Sequence, residues 1–290
     1  MSYSLPSSLA ALPRISVRKF SNAGPVLQNA RLTPANLLLD ADELVLLIHG
    51  YNNSELAAFE SYRAFMENLG SGWASCVSGI FWPGDGSTND PDARQVWNSV
   101  LISAISYPLQ PRRAEESASY LADTITLALS ARSERANRSG RAPRNLVLNI
   151  VAHSMGCRLA LELLKLLRSA VRGGAPLRIR NVALMAAAVP RYDTEFRGSF
   201  DLALNTPDKT TVFWSRSDRV LRLTFPLGQV LARPFPLGWD LRKRSALGRF
   251  GMAERNGLFS VEVDLDHSDY WSDRFIASAM RTDLDSDKIF

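Results

Sequence analysis

Short continuous runs of apolar residues recur along the chain, and most of them are followed by a stretch with the spacing of an amphipathic helix. Apolar runs without polar alternation are typical of strands that are covered on both faces of a parallel sheet. The predicted strands are 44–48, 77–82, 146–151, 182–188, 211–214 and 259–265. Strands that alternate with helices predict a mostly parallel α/β sheet with helices on both faces. The segment 15–20 is predicted to add an antiparallel edge strand.

Two inserts interrupt the alternation of strands and helices. Residues 85–113 begin as a polar loop and then offer a short amphipathic helix, whereas residues 220–257 are rich in Pro, Gly and aromatic residues. Between the strands, helices are predicted from Ser54, a capping residue, to about Leu69, and over 115–129 and 157–169. We expect one α/β domain over residues 1–290, with both inserts as candidates for a cap or lid.

The composition excludes several classes of protein. With 46% hydrophobic and 22% charged residues in 290, the chain is neither collagen-like nor a disulfide scaffold nor disordered. Cys76 and Cys157 stand alone, without the spacing of a zinc or redox motif, so no metal site is expected from them. The N-terminus lacks a signal-peptide pattern and no apolar run could span a bilayer, which favours a soluble, cytoplasmic protein.

Positive charge is concentrated in one segment. The net charge is +5, and residues 216–255 hold nine basic and three acidic residues among several aromatic ones. This segment could contact an anionic lipid surface or cover the site; a solvated arginine-rich loop over a small apolar cluster is the simpler interpretation. Arginines at every third position from Arg132 to Arg144 are interpreted as a flexible basic connector. No groove-reading motif indicates a nucleic-acid partner.

A candidate nucleophile lies between the third predicted strand and the helix that follows it. Ser154 has small residues, Ala152 and Gly156, two positions away on either side. A nucleophile on a sharp strand-to-helix turn needs small neighbours there, and the helix N-terminus places N–H groups beneath its hydroxyl. The simpler alternative is that Ser154 only caps a helix.

Three histidines are candidates for the base. His153 precedes the nucleophile, so its side chain should diverge from the Ser154 hydroxyl; it is a candidate substrate contact or a packed turn residue. His49 ends a strand and is expected to support the loop beneath an oxyanion site. His267 follows the last strand, where the base arrives in folds with the chain order Ser, acid, His. The alternative for His267 is a surface-loop histidine among carboxylates.

The acid is expected after the preceding strand. Asp218 stands just beyond 211–214 and would accept a hydrogen bond from His267. Asp208, Asp264, Asp266 and Asp269 are weaker competitors, and the alternative for Asp218 is a salt bridge with Arg216 or Arg219.

The oxyanion donors are expected on both sides of the nucleophile. The backbone N–H groups of Met155 and Tyr51 are the natural pair, because one follows Ser154 and the other lies in the loop after the first strong strand. Gly50 would let that loop come close, and the Asn52 side chain could line the substrate pocket. An ordinary turn before a capped helix is the alternative.

Four motifs in this order, HGYNN, AHSMGCR, SRSDRVL and DHSDYW, resemble those of the α/β-hydrolase superfamily. More narrowly, the chain resembles a bacterial family of poorly defined function that carries HGYN, HSMG and HSDY. The similarity extends over about 44–271. It implies a Ser-His-Asp hydrolase that needs no cofactor, with Ser154, His267 and Asp218 in the triad; Ala152 replaces the usual first glycine of the elbow.

These observations together predict a serine hydrolase that cleaves a carboxylic ester through an acyl-enzyme. A lipase or phospholipase that acts at an anionic lipid surface, and a non-catalytic binding protein on a hydrolase scaffold, are the alternatives. The expected partner is a small-molecule ester or a lipid.

Overall fold

The computed structural model describes residues 12–21, 24–84, 110–232 and 245–285. The strands are β1 (Arg14–Ser21), β2 (Gly24–Thr33), β3 (Glu43–Ile48), β4 (Val77–Phe81), β5 (Leu146–His153), β6 (Leu177–Met185), β7 (Lys209–Trp214) and β8 (Leu258–Glu262). The α-helices are α1 (Leu37–Asp40), α2 (Glu55–Leu69), α3 (Gln110–Arg138), α4 (Met155–Arg172), α5 (Arg191–Thr194), α6 (Asp201–Leu204), α7 (Arg219–Ala232), α8 (Leu247–Phe250) and α9 (Arg274–Asp285). Short 3₁₀ helices lie at Ser71–Cys76 and Asp269–Trp271.

The strands form one eight-stranded sheet in the order β2-β1-β4-β3-β5-β6-β7-β8. From β1 across to β8, every neighbouring pair is parallel, as the continuous apolar runs predict. All six predicted strands are present, with ends that differ by a few residues. The carboxyl ends of β3, β5, β7 and β8 therefore lie at the same edge of the sheet.

The predicted edge strand is wrong in direction. The segment 15–20 belongs to β1, which runs parallel to β4 and is covered on its other side by β2. The antiparallel edge strand is β2, which mixes polar and apolar residues and has no fully buried position among those whose burial is described. Its weak apolar pattern is that of a strand at the rim of a sheet.

Helices cover both faces of the sheet. Val45, Leu46, Leu47 and Ile48 are all fully buried, although consecutive residues of a strand point to opposite faces. Helix α3 packs against α4, and α2 packs against α9, so these four helices form two pairs. The cap of α2 is the predicted one: Ser54 Oγ accepts a hydrogen bond from Ala57 N–H at 3.2 Å.

The basic connector predicted between Arg132 and Arg144 is wrong over its first half. Arg132, Arg135 and Arg138 lie in the last turns of α3, which is longer than the predicted 115–129. Arg132 is buried, and its guanidinium donates hydrogen bonds to the carbonyls of Leu38, Leu39 and Ala41 at 2.8–3.2 Å. The helix thus continues through the first three arginines of the series, and the first of them bonds to carbonyls of α1 and of Ala41 directly after it.

Both predicted inserts fall partly outside the described residues. Of 85–113, the polar loop and the amphipathic helix lie in 85–109, outside the description, and 110–113 begin α3. Of 220–257, the described parts form most of α7, the short helix α8 and the turn into β8. Among the described helices, none is both long and apolar enough to cross a membrane.

Candidate active site

Four loops meet at the carboxyl edge of the sheet, and each follows one of the strands β3, β5, β7 and β8. They carry, in chain order, Gly50, Ser154, Asp218 and His267. Open α/β sheets bind ligands at this edge. Side chains more than a hundred residues apart in the sequence are therefore brought together.

Ser154 lies on a strained turn between β5 and α4. Its φ of 54° and ψ of −121° fall in a region that residues other than glycine rarely adopt. The turn is closely packed: a Cβ on Gly156 would lie 2.4 Å from the His49 carbonyl oxygen, and one on Gly50 would lie 2.8 Å from Ser154 Cβ. Glycine at positions 156 and 50 is thus required by the short distance between this turn and the end of β3.

A chain of two hydrogen bonds links the serine, the histidine and the aspartate. His267 Nε2 lies 2.9 Å from Ser154 Oγ, and His267 Nδ1 lies 2.7 Å from Asp218 Oδ2. Asp218 is fully buried, and its second oxygen accepts the Leu221 N–H at 2.8 Å in the first turn of α7. This arrangement makes Nδ1 the protonated nitrogen and leaves the Nε2 lone pair for the serine hydroxyl.

The competing acids have other partners. Asp208 pairs with Arg178 at 2.6 Å, and Asp264 accepts the Ser217 hydroxyl at 2.8 Å. Asp266 binds the backbone N–H of His267 rather than its ring. The alternative for Asp218, a salt bridge, does not form either: the ion pair of Arg216 is with Glu262 at 3.0 Å.

The oxyanion donors remain predictions, and two features of the site agree with them. The Met155 N–H is the first of an 18-residue helix and has no hydrogen-bond acceptor in the described part of the chain. The Gly50 carbonyl accepts a hydrogen bond from His49 Nδ1–H at 2.9 Å. Because the C=O and N–H of a trans peptide point in opposite directions, this bond directs the Tyr51 N–H away from the His49 ring.

His49 supports this loop from below. The ring is fully buried and stacks on Trp82, whose indole N–H donates to the His49 carbonyl at 2.9 Å. Tyr62 completes the support, since its hydroxyl accepts the His49 N–H and donates to Ile80 O. Burial lowers the pKa of His49 to about 3, so the ring is neutral.

The roles of His153 and Asn52 as substrate contacts remain predictions. The His153 side chain is buried, and its Nε2 lies 2.8 Å from the His267 carbonyl oxygen, as a packed turn residue would. Asn52 is exposed; it adopts a φ of 60° and its N–H donates to Gly84 O at 2.8 Å, which fixes the turn. The direction of a side chain next to the nucleophile depends on the turn, which residue types alone do not specify.

Sequence reasoning assigned no role to Tyr270, which is fully buried beside the site. Burial, and after it the negative charge of Asp218, raises the pKa of its hydroxyl well above the usual value. Its ring packs 5.9 Å from that of His153.

As for metals, the described residues contain no group of three or more His, Cys, Asp or Glu side chains that could hold an ion.

A comparison with protein families agrees with the fold. A family model described as "Alpha/beta hydrolase of unknown function (DUF900)" matches residues 34–238, which include Ser154 and Asp218 and end before His267. A comparison with curated proteins finds no match.

Solved structures of low sequence identity are similar over most of the chain. MenH from S. aureus is 11% identical with a TM-score of 0.37, over 86% of this chain and 96% of its own. The poly(3-hydroxybutyrate) depolymerase LpqC from Bordetella parapertussis is 12% identical with a TM-score of 0.39, over 83% and 77%. Carboxyl esterase 2 from the fungus Tuber melanosporum is 13% identical with a TM-score of 0.34, over 86% and 76%. At these TM-scores the similarities carry no argument about the substrate.

Proposed function

The chain belongs to the DUF900 family of α/β hydrolases, and from that premise we propose that it is a serine hydrolase that cleaves carboxylic esters. The observation that carries the proposal is the pair of hydrogen bonds of His267, 2.9 Å to Ser154 Oγ and 2.7 Å to Asp218 Oδ2. A serine beside a base that is itself oriented by a buried carboxylate is an activated nucleophile.

The reaction begins with the serine hydroxyl. Ser154 Oγ attacks the ester carbonyl carbon while His267 Nε2 takes its proton, and the Met155 and Tyr51 N–H groups stabilise the oxyanion that forms. His267 then gives the proton to the leaving alcohol, and the C–O bond of the ester breaks. Water, activated in turn by His267, hydrolyses the acyl-enzyme and releases the acid.

Asp218 acts on the base and not on the substrate. By accepting the Nδ1–H, its carboxylate holds His267 in the tautomer that leaves Nε2 free and stabilises the imidazolium of the transition state. Its complete burial keeps water from competing for the imidazole N–H.

The proposal is tested by the hydrolysis of p-nitrophenyl esters, from acetate to palmitate. The wild-type chain is compared with Ser154→Ala. We expect kcat to fall by about 10⁴-fold or more in the variant, because the nucleophile is lost. Ester hydrolysis that is unchanged in the variant would contradict the proposal, since the activity would then come from another group.

A second candidate function, hydrolysis at an anionic lipid surface, is favoured by the outer face of α7. Leu221 and Phe225 of this helix are buried, but Val220, Leu223 and Leu227 are 41%, 62% and 55% exposed. These three share one face at helical spacing.

Arginines lie beside this exposed apolar face. Arg219 and Arg222 are exposed on the same helix, and within the described residues their side chains form no ion pair. An apolar stripe bordered by arginines is typical of helices that lie in a lipid interface. Because α7 begins directly after Asp218, such contact would bring lipid to the site.

Sedimentation with phosphatidylglycerol vesicles, compared with phosphatidylcholine vesicles, tests this second function. We expect binding to the anionic vesicles alone, and a loss of at least about tenfold in Leu223→Asp, because a carboxylate opposes both the apolar and the charge contribution. Leu127→Asp, at an exposed leucine of α3, is the control. Equal binding by both variants and the wild type would contradict the lipid surface.

A further inference from the structure

All four hydrogen-bonding groups of His267 have partners. The ring nitrogens contact Ser154 and Asp218, and the main chain is held as well: the His267 N–H donates to Asp266 Oδ1 at 2.9 Å, and the His267 carbonyl accepts from His153 Nε2–H at 2.8 Å. The residues 263–268 around the base have no regular secondary structure. The side chains of Asp266 and His153 therefore supply to the His267 main chain the hydrogen bonds that a helix or strand would otherwise provide.

Asp266 connects the loop of the base to the loop of the acid. The same oxygen, Oδ1, accepts the N–H of Arg219 at 3.3 Å, and Arg219 directly follows Asp218. The hydrogen bond from the His267 N–H, with support from the Arg219 N–H, holds the pKa of this exposed carboxyl below its ordinary value. A single carboxylate oxygen thus contacts the backbone of both loops, which the Ser217–Asp264 hydrogen bond also joins.

His153 connects the base to the strand of the nucleophile. It is the last residue of β5, directly before Ser154, and its ring lies 4.9 Å from that of His267 and against Tyr270 and Trp271. Its Nδ1 is buried without a hydrogen-bond partner in the described part of the chain. A buried polar atom without a hydrogen bond costs free energy of folding. The hydrogen bond of the other ring nitrogen, Nε2, is the contact that can offset this cost.

We propose that His153 and Asp266 are positioning residues, which hold the backbone of His267 so that its imidazole stays within hydrogen-bond reach of both Ser154 and Asp218. The inference rests on the proposed function, because it assigns these residues to the same reaction. Neither side chain contacts the reacting atoms; each acts through the main chain of the base. A displacement of the base of about 1 Å is enough to slow such a reaction by about 10²-fold.

Paired variants separate positioning from general stability. His153→Leu removes the donor at similar volume, whereas His153→Gln keeps an N–H near the position of Nε2. Asp266→Ala removes the acceptor, whereas Asp266→Asn keeps a carbonyl oxygen at the Oδ1 position. Asp269→Ala removes a nearby exposed carboxylate that accepts a hydrogen bond from the hydroxyl of its neighbour Ser268. It serves as the control.

The measurement is kcat and KM for a p-nitrophenyl ester, together with the rate at which a fluorophosphonate labels Ser154. We expect His153→Leu and Asp266→Ala to lower kcat and the labelling rate by about 10- to 100-fold with KM within about twofold. His153→Gln and Asp266→Asn should recover most of the loss, and Asp269→Ala should match the wild type. Thermal unfolding of each variant checks that it is folded.

Wild-type rates in His153→Leu and Asp266→Ala would overturn the inference, as would a loss that the conservative variants do not recover. If His153→Leu does not fold, the comparison of Asp266→Ala with Asp266→Asn, at an exposed position, tests the inference by itself. A wild-type chain that neither labels nor hydrolyses esters would instead refute the proposed function, and this inference with it. The two failures are therefore distinguishable.

Discussion

Gly50 is constrained by its short distance to Ser154, the proposed nucleophile. A Cβ at Gly50 would lie 2.8 Å from Ser154 Cβ, closer than real Cβ atoms approach, and 3.1 Å from His153 Nδ1, which is tighter than most real Cβ contacts. These contacts are not with the far end of a flexible side chain, so the loop or the serine would have to move. The loop carries the Tyr51 N–H, and Ser154 carries the hydroxyl, of the proposed reaction.

Gly50→Ala is therefore expected to lower kcat/KM by about 10²-fold, because the alanine displaces the nucleophile from the oxyanion donors. Gly72→Ala is the matched control, since a Cβ there meets nothing within 4 Å. Ester hydrolysis and thermal unfolding of both variants check the prediction. Equal activity of the two would show that the site tolerates the extra methyl group.

At the residue scale, the order of motifs predicted which side chains meet but not how they are supported. Ser154, Asp218 and His267 could be selected because each follows a strand of one parallel sheet. The sequence marks Asp266 only as a weaker candidate for the acid, whereas its contacts are with backbone N–H groups of two loops. Such contacts depend on the separation of loops that residue types do not encode.

At the scale of elements, the interior strands were predictable and the rim was not. β3 and β5 are buried on both faces, so their sequences are apolar apart from Glu43, Asn149 and His153. β1 and β2 contain many polar residues, and only the pairing with β4 shows which of them is the edge.

The end of helix α3 shows the same limit. Its arginine series resembled a connector because the acceptors of Arg132 lie more than ninety residues away in the sequence, at Leu38, Leu39 and Ala41. A buried guanidinium that donates to several carbonyls stabilises both elements that it joins.

Arg132→Met should reduce the free energy of unfolding by about 2–4 kcal/mol, since it removes these charged hydrogen bonds and leaves carbonyl groups with fewer partners. Arg138→Met removes an exposed arginine that pairs with Glu134 on the same helix, and should cost less than about 0.5 kcal/mol. Urea unfolding of both variants measures the difference. A difference below about 1 kcal/mol would contradict the role given to Arg132.

At the scale of the whole molecule, two buried histidines link stability to pH. Burial lowers the pKa of His49 and of His153 from 6.5 to about 3, and for His153 the nearby His267 acts in the same direction. Between pH 6.5 and about pH 3, these two histidines bind protons in the unfolded chain but not in the folded chain. Stability is therefore highest above about pH 6.5 and is lost as the pH falls towards 3.

Each histidine contributes a slope of about 1.4 kcal/mol per pH unit, so the free energy of unfolding should fall by about 3 kcal/mol per unit between pH 5.5 and 4.5. His153→Gln should have roughly half this slope. Urea unfolding at several pH values gives both numbers. A wild-type stability that is flat over this range would show that the two rings are not held neutral.

The central claim is that Ser154 is the nucleophile of a serine hydrolase. Covalent labelling by a fluorophosphonate probe tests it most directly, because labelling requires no knowledge of the natural ester. The chain is incubated with the probe and digested, and the modified peptide is identified by mass spectrometry. We expect one adduct, on Ser154, that is absent from Ser154→Ala and slowed by about 10³-fold or more in His267→Ala. No adduct on Ser154, or an adduct that forms equally fast without His267, would contradict the account.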